Sequence, residues 1–411
     1  MLPLKLYAQG VRPVHRFALV LLGFCSLIFF PLGARSEDQQ VSTPDEQEWS
    51  SSPQYDTKDK VFRNQVIGDM NANIKFWSLM HTYIFGPEIR EPSEPLPIVK
   101  PDWNALLATD HSPIKWIWFG HSGLYLNIKG TRVLIDAVLG ASASPVPFMI
   151  KRFQAPIAQL EELPEPDIIL ISHDHYDHLD ANLIKHFAHS KATFVTALAV
   201  GKQLQAWGVP AEQIFEFDWY QSKTIEGLEI TAAPAQHFSG RGLFDRNKTL
   251  WASWILAKDE QKIYYSGDTG YAGHFSEIGR RYGPFQLAFL ECGQYNPQWL
   301  YVHMMPFEVL KAAQELGTEA LVPVHWGSFN LSTHDWFEPI EHIYQLTEKA
   351  QIPLWHPKLG ELVRFPGLPP RESWWRSHPD FIKRNGGKQP IESLEPAVPS
   401  LDPVDAEASS Q

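Results

Sequence analysis

The segment Ser172-His173-Asp174-His175-Tyr176-Asp177-His178-Leu179-Asp180 constrains this chain more than any other. It follows the apolar run 168–172, which has the length and composition of a buried strand, and precedes a stretch, 181–188, that Asp180 can cap as a helix. A tight turn between strand and helix sends several side chains into one pocket at the strand end. Imidazole and carboxylate are the usual ligands of zinc and similar ions. Alternating His173 and His175 suit one shared ion, while Asp177 and His178 turn toward a second.

Three further residues repeat the pattern. His237 follows the run 228–233, Asp268 follows 262–266 within Ser266-Gly267-Asp268-Thr269-Gly270, and His325 follows 320–324. Each stands just beyond the end of a predicted strand, where loops converge. Further strands are predicted at 115–119, 132–135, 193–196, 253–257 and 287–291, and a helix at 306–316. Strands from both halves of the chain, mixed with helices, predict an α/β fold of two sheets between helical layers.

The 411 residues are 44% hydrophobic, enough for one large domain. The two cysteines, Cys25 and Cys292, imply no disulfide framework. The net charge is -12 and no basic block lies outside the extreme N-terminus, which argues against nucleic acid as a partner. Lys5, Arg12, His15 and Arg16 precede an apolar run, 17–32, then Ala34-Arg35-Ser36 and acidic Glu37 and Asp38. That order is a signal peptide or N-terminal anchor over residues 1–36, so the expected location is the periplasm or cell envelope. Residues 37–57 read as a polar linker, 58–385 as one folded domain and 386–411 as a disordered tail.

The ligand order resembles the HxHxDH, His, Asp, His pattern of the metallo-β-lactamase superfamily. The likeness extends to Glu216-Phe217-Asp218-Trp219-Tyr220, Pro234-Ala235-Gln236-His237, Asn247-Lys248-Thr249-Leu250-Trp251-Ala252-Ser253-Trp254 and His325-Trp326-Gly327-Ser328-Phe329. These strings look most like the branch that hydrolyses N-acyl-phosphatidylethanolamine, over about residues 60 to 365. The resemblance implies an αββα sandwich, two mixed sheets flanked by helices. It implies one ion on His173, His175 and His237 and a second on Asp177, His178 and His325, bridged by Asp268. Two zinc ions per chain are expected, although nitrogen and oxygen donors also suit iron or manganese.

The activity so implied is phospholipase D-like cleavage of a phosphodiester by a metal-bound hydroxide. Its rivals are a lactonase or other carbonyl hydrolase, and a non-catalytic metal-binding envelope protein. Asp177 is expected to orient the hydroxide, and His303 to donate a proton to the leaving group or bind a phosphoryl oxygen. His121, Tyr295 and Trp299 are expected at the substrate, and Asp136 behind a metal-bound histidine. Met304-Met305 and Glu291-Cys292-Gly293-Gln294 depart from the family pattern and bear on head-group preference. The expected partners are a phospholipid substrate, a membrane surface and a second copy of the chain.

Overall fold

The computed structural model describes residues 49–66, 74–146 and 148–386. The leader 1–36, most of the linker and nearly all of the tail lie outside the described residues. The packed body begins earlier than residue 58. Trp49 is buried, and the short pair β1 (Tyr55–Asp56) and β2 (Val61–Phe62) stacks Tyr55 on Phe62 at 5.1 Å between ring centroids. A tryptophan and a tyrosine in this polar stretch supply anchors that its average composition conceals. Among the described residues, no helix is long and apolar enough to cross a membrane.

The first large sheet is built from β3 (Ile114–Trp118), β4 (Leu124–Ile128), β5 (Thr131–Ile135), β6 (Ile168–Ile171), β7 (Thr193–Ala197) and β8 (Ile214–Phe217). The second contains β9 (Ser222–Ile225), β10 (Leu228–Ala233), β11 (Ser253–Lys258), β12 (Gln261–Tyr265), β13 (Phe285–Glu291) and β14 (Thr318–Val324). The last strand, β15 (Leu362–Phe365), returns to the first sheet and pairs with β3, Leu362 opposite Ile117. The orders are β15-β3-β4-β5-β6-β7-β8 and β14-β13-β12-β11-β10-β9.

Each sheet is antiparallel in one part and parallel in the other. Pairing is parallel from β5 through β8 and from β12 through β14, antiparallel elsewhere. Parallel neighbours need crossovers; the helices Ala181–Phe187, Gly201–Ala206, His274–Tyr282 and Pro306–Leu316 supply four, and the long segment 136–167 joins β5 to β6. All four residues of β6 are therefore buried, as a strand covered on both faces must be. The sheets meet face to face, with Trp116 of β3 against the Phe289 ring of β13 at 5.5 Å. The core is one continuous apolar cluster drawn from both sheets. Residues that follow the carboxyl ends of β3, β6, β10, β12 and β14 come together along one edge of this sandwich.

Candidate metal centre

Beyond β6 the chain turns sharply: the amides of His178 and Leu179 both donate to the carbonyl of His175, at 3.1 and 2.9 Å. Asp174 is held away from the centre. Its two oxygens accept from the amide of Gly240 and the hydroxyl of Thr249, at 2.8 and 2.9 Å. Arg241 closes the turn by donating to the carbonyls of Asp174 and Leu179. With Asp174 tied outward, His173, His175, Asp177 and His178 are left to face inward.

Four donors gather on one side. His175 Nδ1 lies 2.8 Å from His173 Nε2 and 3.3 Å from His237 Nε2, and Asp268 Oδ2 lies 3.6 Å from His237 Nε2. A second group adjoins it. Asp268 Oδ1 is 3.0 Å from both His178 Nε2 and His325 Nδ1, and Asp177 Oδ2 is 3.6 Å from His178 Nε2. Each oxygen of Asp268 thus serves one group. The ligand atoms of His173, His175, His237 and Asp268 lie close enough together to hold an ion, and so do those of His121, Asp177, His178 and His325.

Hydrogen-bond geometry supports that use. His178 Nε2, Asp268 Oδ1 and His325 Nε2 are buried and make no aligned hydrogen bond among the described residues, close as they stand. Donors that approach one another without alignment are aimed at a common point between them. A metal ion at that point would satisfy them, so the residues fit metal binding.

Electrostatics agree. Burial holds His173, His237 and His325 well below the ordinary imidazole range and His175 at about 3, which keeps them neutral, as ligation requires. Burial raises Asp268 to about 6. His178 is different: burial lowers it, but the carboxylates of Asp268, Asp177 and Asp136 outweigh burial and raise it well above the usual range. So much negative charge around one imidazole calls for positive charge, which a bound dication supplies in place of a proton.

The surrounding residues fix these rings. Asp136 Oδ2 is 2.8 Å from His178 Nδ1, and the same carboxylate accepts from the Ser172 amide at 2.8 Å and the Tyr265 hydroxyl at 2.7 Å. Ser172 Oγ reaches His173 Nδ1 and Ser122 Oγ reaches His325 Nδ1, both at 2.9 Å. Asn64 grips the backbone of His237 from both sides. His121, Asp136 and His325 all hold φ in the left-handed region, at 52°, 38° and 68°, an expensive conformation that concentrates at functional sites. Gly267 (φ 56°) lets Asp268 in, because a Cβ there would stand 2.9 Å from the Ala252 carbonyl.

The family model described as the beta-lactamase superfamily domain matches residues 131–326. An uncharacterized protein of Mycobacterium tuberculosis is 40% identical over 290 residues, 69% of this chain and 77% of its own. N-acyl-phosphatidylethanolamine-hydrolyzing phospholipase D 1 of Caenorhabditis elegans is 31% identical over 248 residues, 57% of this chain and 70% of its own. This chain belongs to the metallo-β-lactamase superfamily. Superfamily membership makes it one of the metal-dependent hydrolases, and the two sheets with flanking helices are that superfamily's fold. An isothiocyanate hydrolase from Delia radicum gut bacteria shares the fold, with a TM-score of 0.50 and 20% identity over 61% of this chain and 98% of its own.

Within this superfamily site, the seven expected ligands converge. The other expected residues divide. His303 lies over the centre, its ring 5.0 Å from His325 and 5.4 Å from His237. His121 does not reach outward to a substrate. It is buried, its Nε2 is 2.9 Å from Asp177 Oδ2, and its ring packs 4.0 Å from His325, so it braces two ligands. Tyr295 points away: its buried hydroxyl donates to Glu338 at 2.8 Å and lies 3.2 Å from His342 Nδ1. The positive φ of Gln294 (63°) turns the chain there and sends Tyr295 into the body. Trp299 is half-buried, and its indole donates to the carbonyl of Gln294.

Residues that sequence reading did not assign complete the centre: Ser122, Ser172, Tyr265, Asn64 and, behind His303, Glu291. Ser172 and Tyr265 sit at strand ends beside ligands, which was the available signal. Glu291 showed as part of a departure from the family pattern, with no role beside His303.

Proposed function

We propose that the chain is a dinuclear zinc phosphodiesterase of the phospholipase D type, acting on N-acyl-phosphatidylethanolamine or a related phospholipid. The observation that carries this reading is the similarity to N-acyl-phosphatidylethanolamine-hydrolyzing phospholipases D from two organisms, 31% identical in Caenorhabditis elegans and 35% in Saccharomyces cerevisiae. His173, His175, His237 and Asp268 would hold one ion, and Asp177, His178, His325 and Asp268 the other. When bound, such a pair activates water near neutral pH and offsets charge on the phosphoryl oxygens.

The chain's own groups do the rest. Asp177, held by His121, orients the attacking water and accepts its hydrogen bond. The water oxygen bonds to phosphorus, the bond from phosphorus to the head-group oxygen breaks, and that oxygen takes a proton from His303 Nε2. The proton released by the water passes to solvent, which also restores the proton on His303. No serine or cysteine nucleophile is required.

A membrane is the natural source of substrate. Trp77 and Phe85, on the helix Phe76–Phe85, are 78% and 70% exposed. The chain just before that helix bonds to the loop that leads to His303, the Lys75 amide donating to Gln298 at 2.7 Å. Leu243, in the loop that clamps Asp174, is 60% exposed. Apolar groups near both the substrate-side loop and the ligand turn support docking on a lipid surface, and the leader-like N-terminus supports export to the envelope.

The test incubates purified zinc-loaded protein with membrane lipid extract and identifies products by mass spectrometry. Phosphatidic acid with free N-acylethanolamine is expected. Turnover of lactones with no phosphodiester cleavage reverses the reading.

A further inference from the structure

Glu291 ends β13, and its side chain is completely buried beneath the metal centre. A buried carboxylate is costly unless each oxygen is satisfied. Both are. Oε1 accepts from the Met304 amide at 2.7 Å, and Oε2 lies 3.0 Å from His303 Nδ1. The Glu291 amide is itself fixed by Ser266 Oγ at 2.9 Å, two residues from Asp268. The carboxylate therefore holds both the backbone and the ring of the 303–304 segment, and it does so from a strand in the rigid core.

We propose that Glu291 is a positioning residue that acts through His303. With Nδ1 engaged by Glu291, only Nε2 of His303 is free to serve the substrate. The ring, stacked at 25° on His325, is kept from swinging out of the centre. This inference rests on the phosphodiesterase reading for its kinetic arm but not for its spectroscopic one. The alternative use of the same atoms is ligation, because Asp268, Glu291, His303 and His325 also lie within one ion's reach.

Glutamine is the informative replacement. In the proposed arrangement Glu291 accepts from both Met304 and His303, and an amide has one acceptor oxygen, so Glu291→Gln disturbs either the Met304 amide bond or the contact with His303 Nδ1. Three measurements on zinc-loaded protein test the proposal. Nitrogen-15 histidine NMR, with His303 signals assigned by their loss in His303→Ala, is expected to show Nδ1 protonated in the parent and altered in Glu291→Gln. Unchanged His303 signals overturn the proposal, whatever the enzyme hydrolyses.

In kinetics, Glu291→Gln should lower kcat by about 100-fold for an alkyl phosphodiester, whose leaving oxygen needs a proton, with KM little changed. It should lower kcat by less than about 3-fold for bis(4-nitrophenyl) phosphate, whose leaving group needs none. Equal losses on both substrates indicate general damage and overturn the proposal, whereas failure of the parent protein on both rejects the phosphodiesterase reading alone. The double variant Glu291→Gln/His303→Ala should be no slower than His303→Ala, since coupled residues do not add. Elemental analysis should find the same metal content in Glu291→Gln as in the parent; loss of an ion makes Glu291 a ligand and overturns the proposal.

Discussion

Asp136 and His178 meet at 2.8 Å, carboxylate oxygen to Nδ1, although 42 positions separate them in the chain. The contact leaves His178 Nε2 directed at the centre. Replacing Asp136 with Asn keeps the shape but not the acceptor capacity that Ser172, Tyr265 and His178 all use. Asp136→Asn should weaken metal binding about 10–100-fold, measured by competition with a calibrated chelator. Unchanged affinity would mean that Asp136 serves only the turn.

Asp268 faces both ligand groups at once. Asp268→Ala removes an oxygen from each, so metal content by elemental analysis should fall below that of the parent, and hydrolysis should drop by about 1000-fold or more. Activity and metal content that both survive would mean that Asp268 is not a ligand and that the hydrolysis arises elsewhere.

Stability should depend on pH through histidines outside the ligand set. Burial holds His274 at about 3 and His356 at about 4, whereas both titrate near 6.5 when unfolded. Below pH 6.5 the unfolded chain binds protons that the folded chain refuses. Their stabilising contribution is complete at pH 7 and is lost as pH falls, at up to about 1.4 kcal/mol per pH unit for each histidine. Asp268, raised to about 6, opposes this in ion-free protein between pH 6 and 4, because there the folded state holds the extra proton. Melting temperatures from pH 7 to 5 should fall less steeply in His274→Gln than in the parent. Parallel curves would remove His274 from the account.

Gly267→Ala places a Cβ 2.9 Å from both the Ala252 carbonyl and Ser172 Cβ, in a left-handed conformation. The expected loss is about 2–4 kcal/mol in denaturant unfolding. A loss under about 0.5 kcal/mol would show that the turn can relax.

Tyr295→Phe separates packing from chemistry. It deletes the hydroxyl shared by Glu338 and His342, and should lower stability by about 1 kcal/mol while leaving kcat/KM within about 2-fold. A large kinetic loss with intact stability would return Tyr295 to the substrate.

The ligands were legible because each follows an apolar run that could only be a buried strand, and strand ends collect functional loops. The helix predicted at 306–316 is observed as Pro306–Leu316, opened by proline and closed by Gly317. What escaped depends on geometry that sequence distance hides. The edge strand Ser222–Ile225 exposes three of its four residues and carries no apolar alternation. The strand Leu362–Phe365 owes its place to β3, more than 200 residues earlier. His121 was expected at the substrate from family resemblance, and Tyr295 as an aromatic suited to a lipid pocket. Their hydroxyl and imidazole directions follow from backbone angles that no residue type announces. Glu291 read as a departure from pattern, and only its burial beside His303 gives it a use.

The seven ligand residues come from both sheets: the 173–178 turn follows a strand of the first, and His237, Asp268 and His325 follow strands of the second. During synthesis, the early half of the centre waits for the second-sheet strands that precede His237, Asp268 and His325. Closure of the two sheets on each other is therefore what assembles either ligand group. A chain cut before Asp268 would lack the carboxylate that faces both groups.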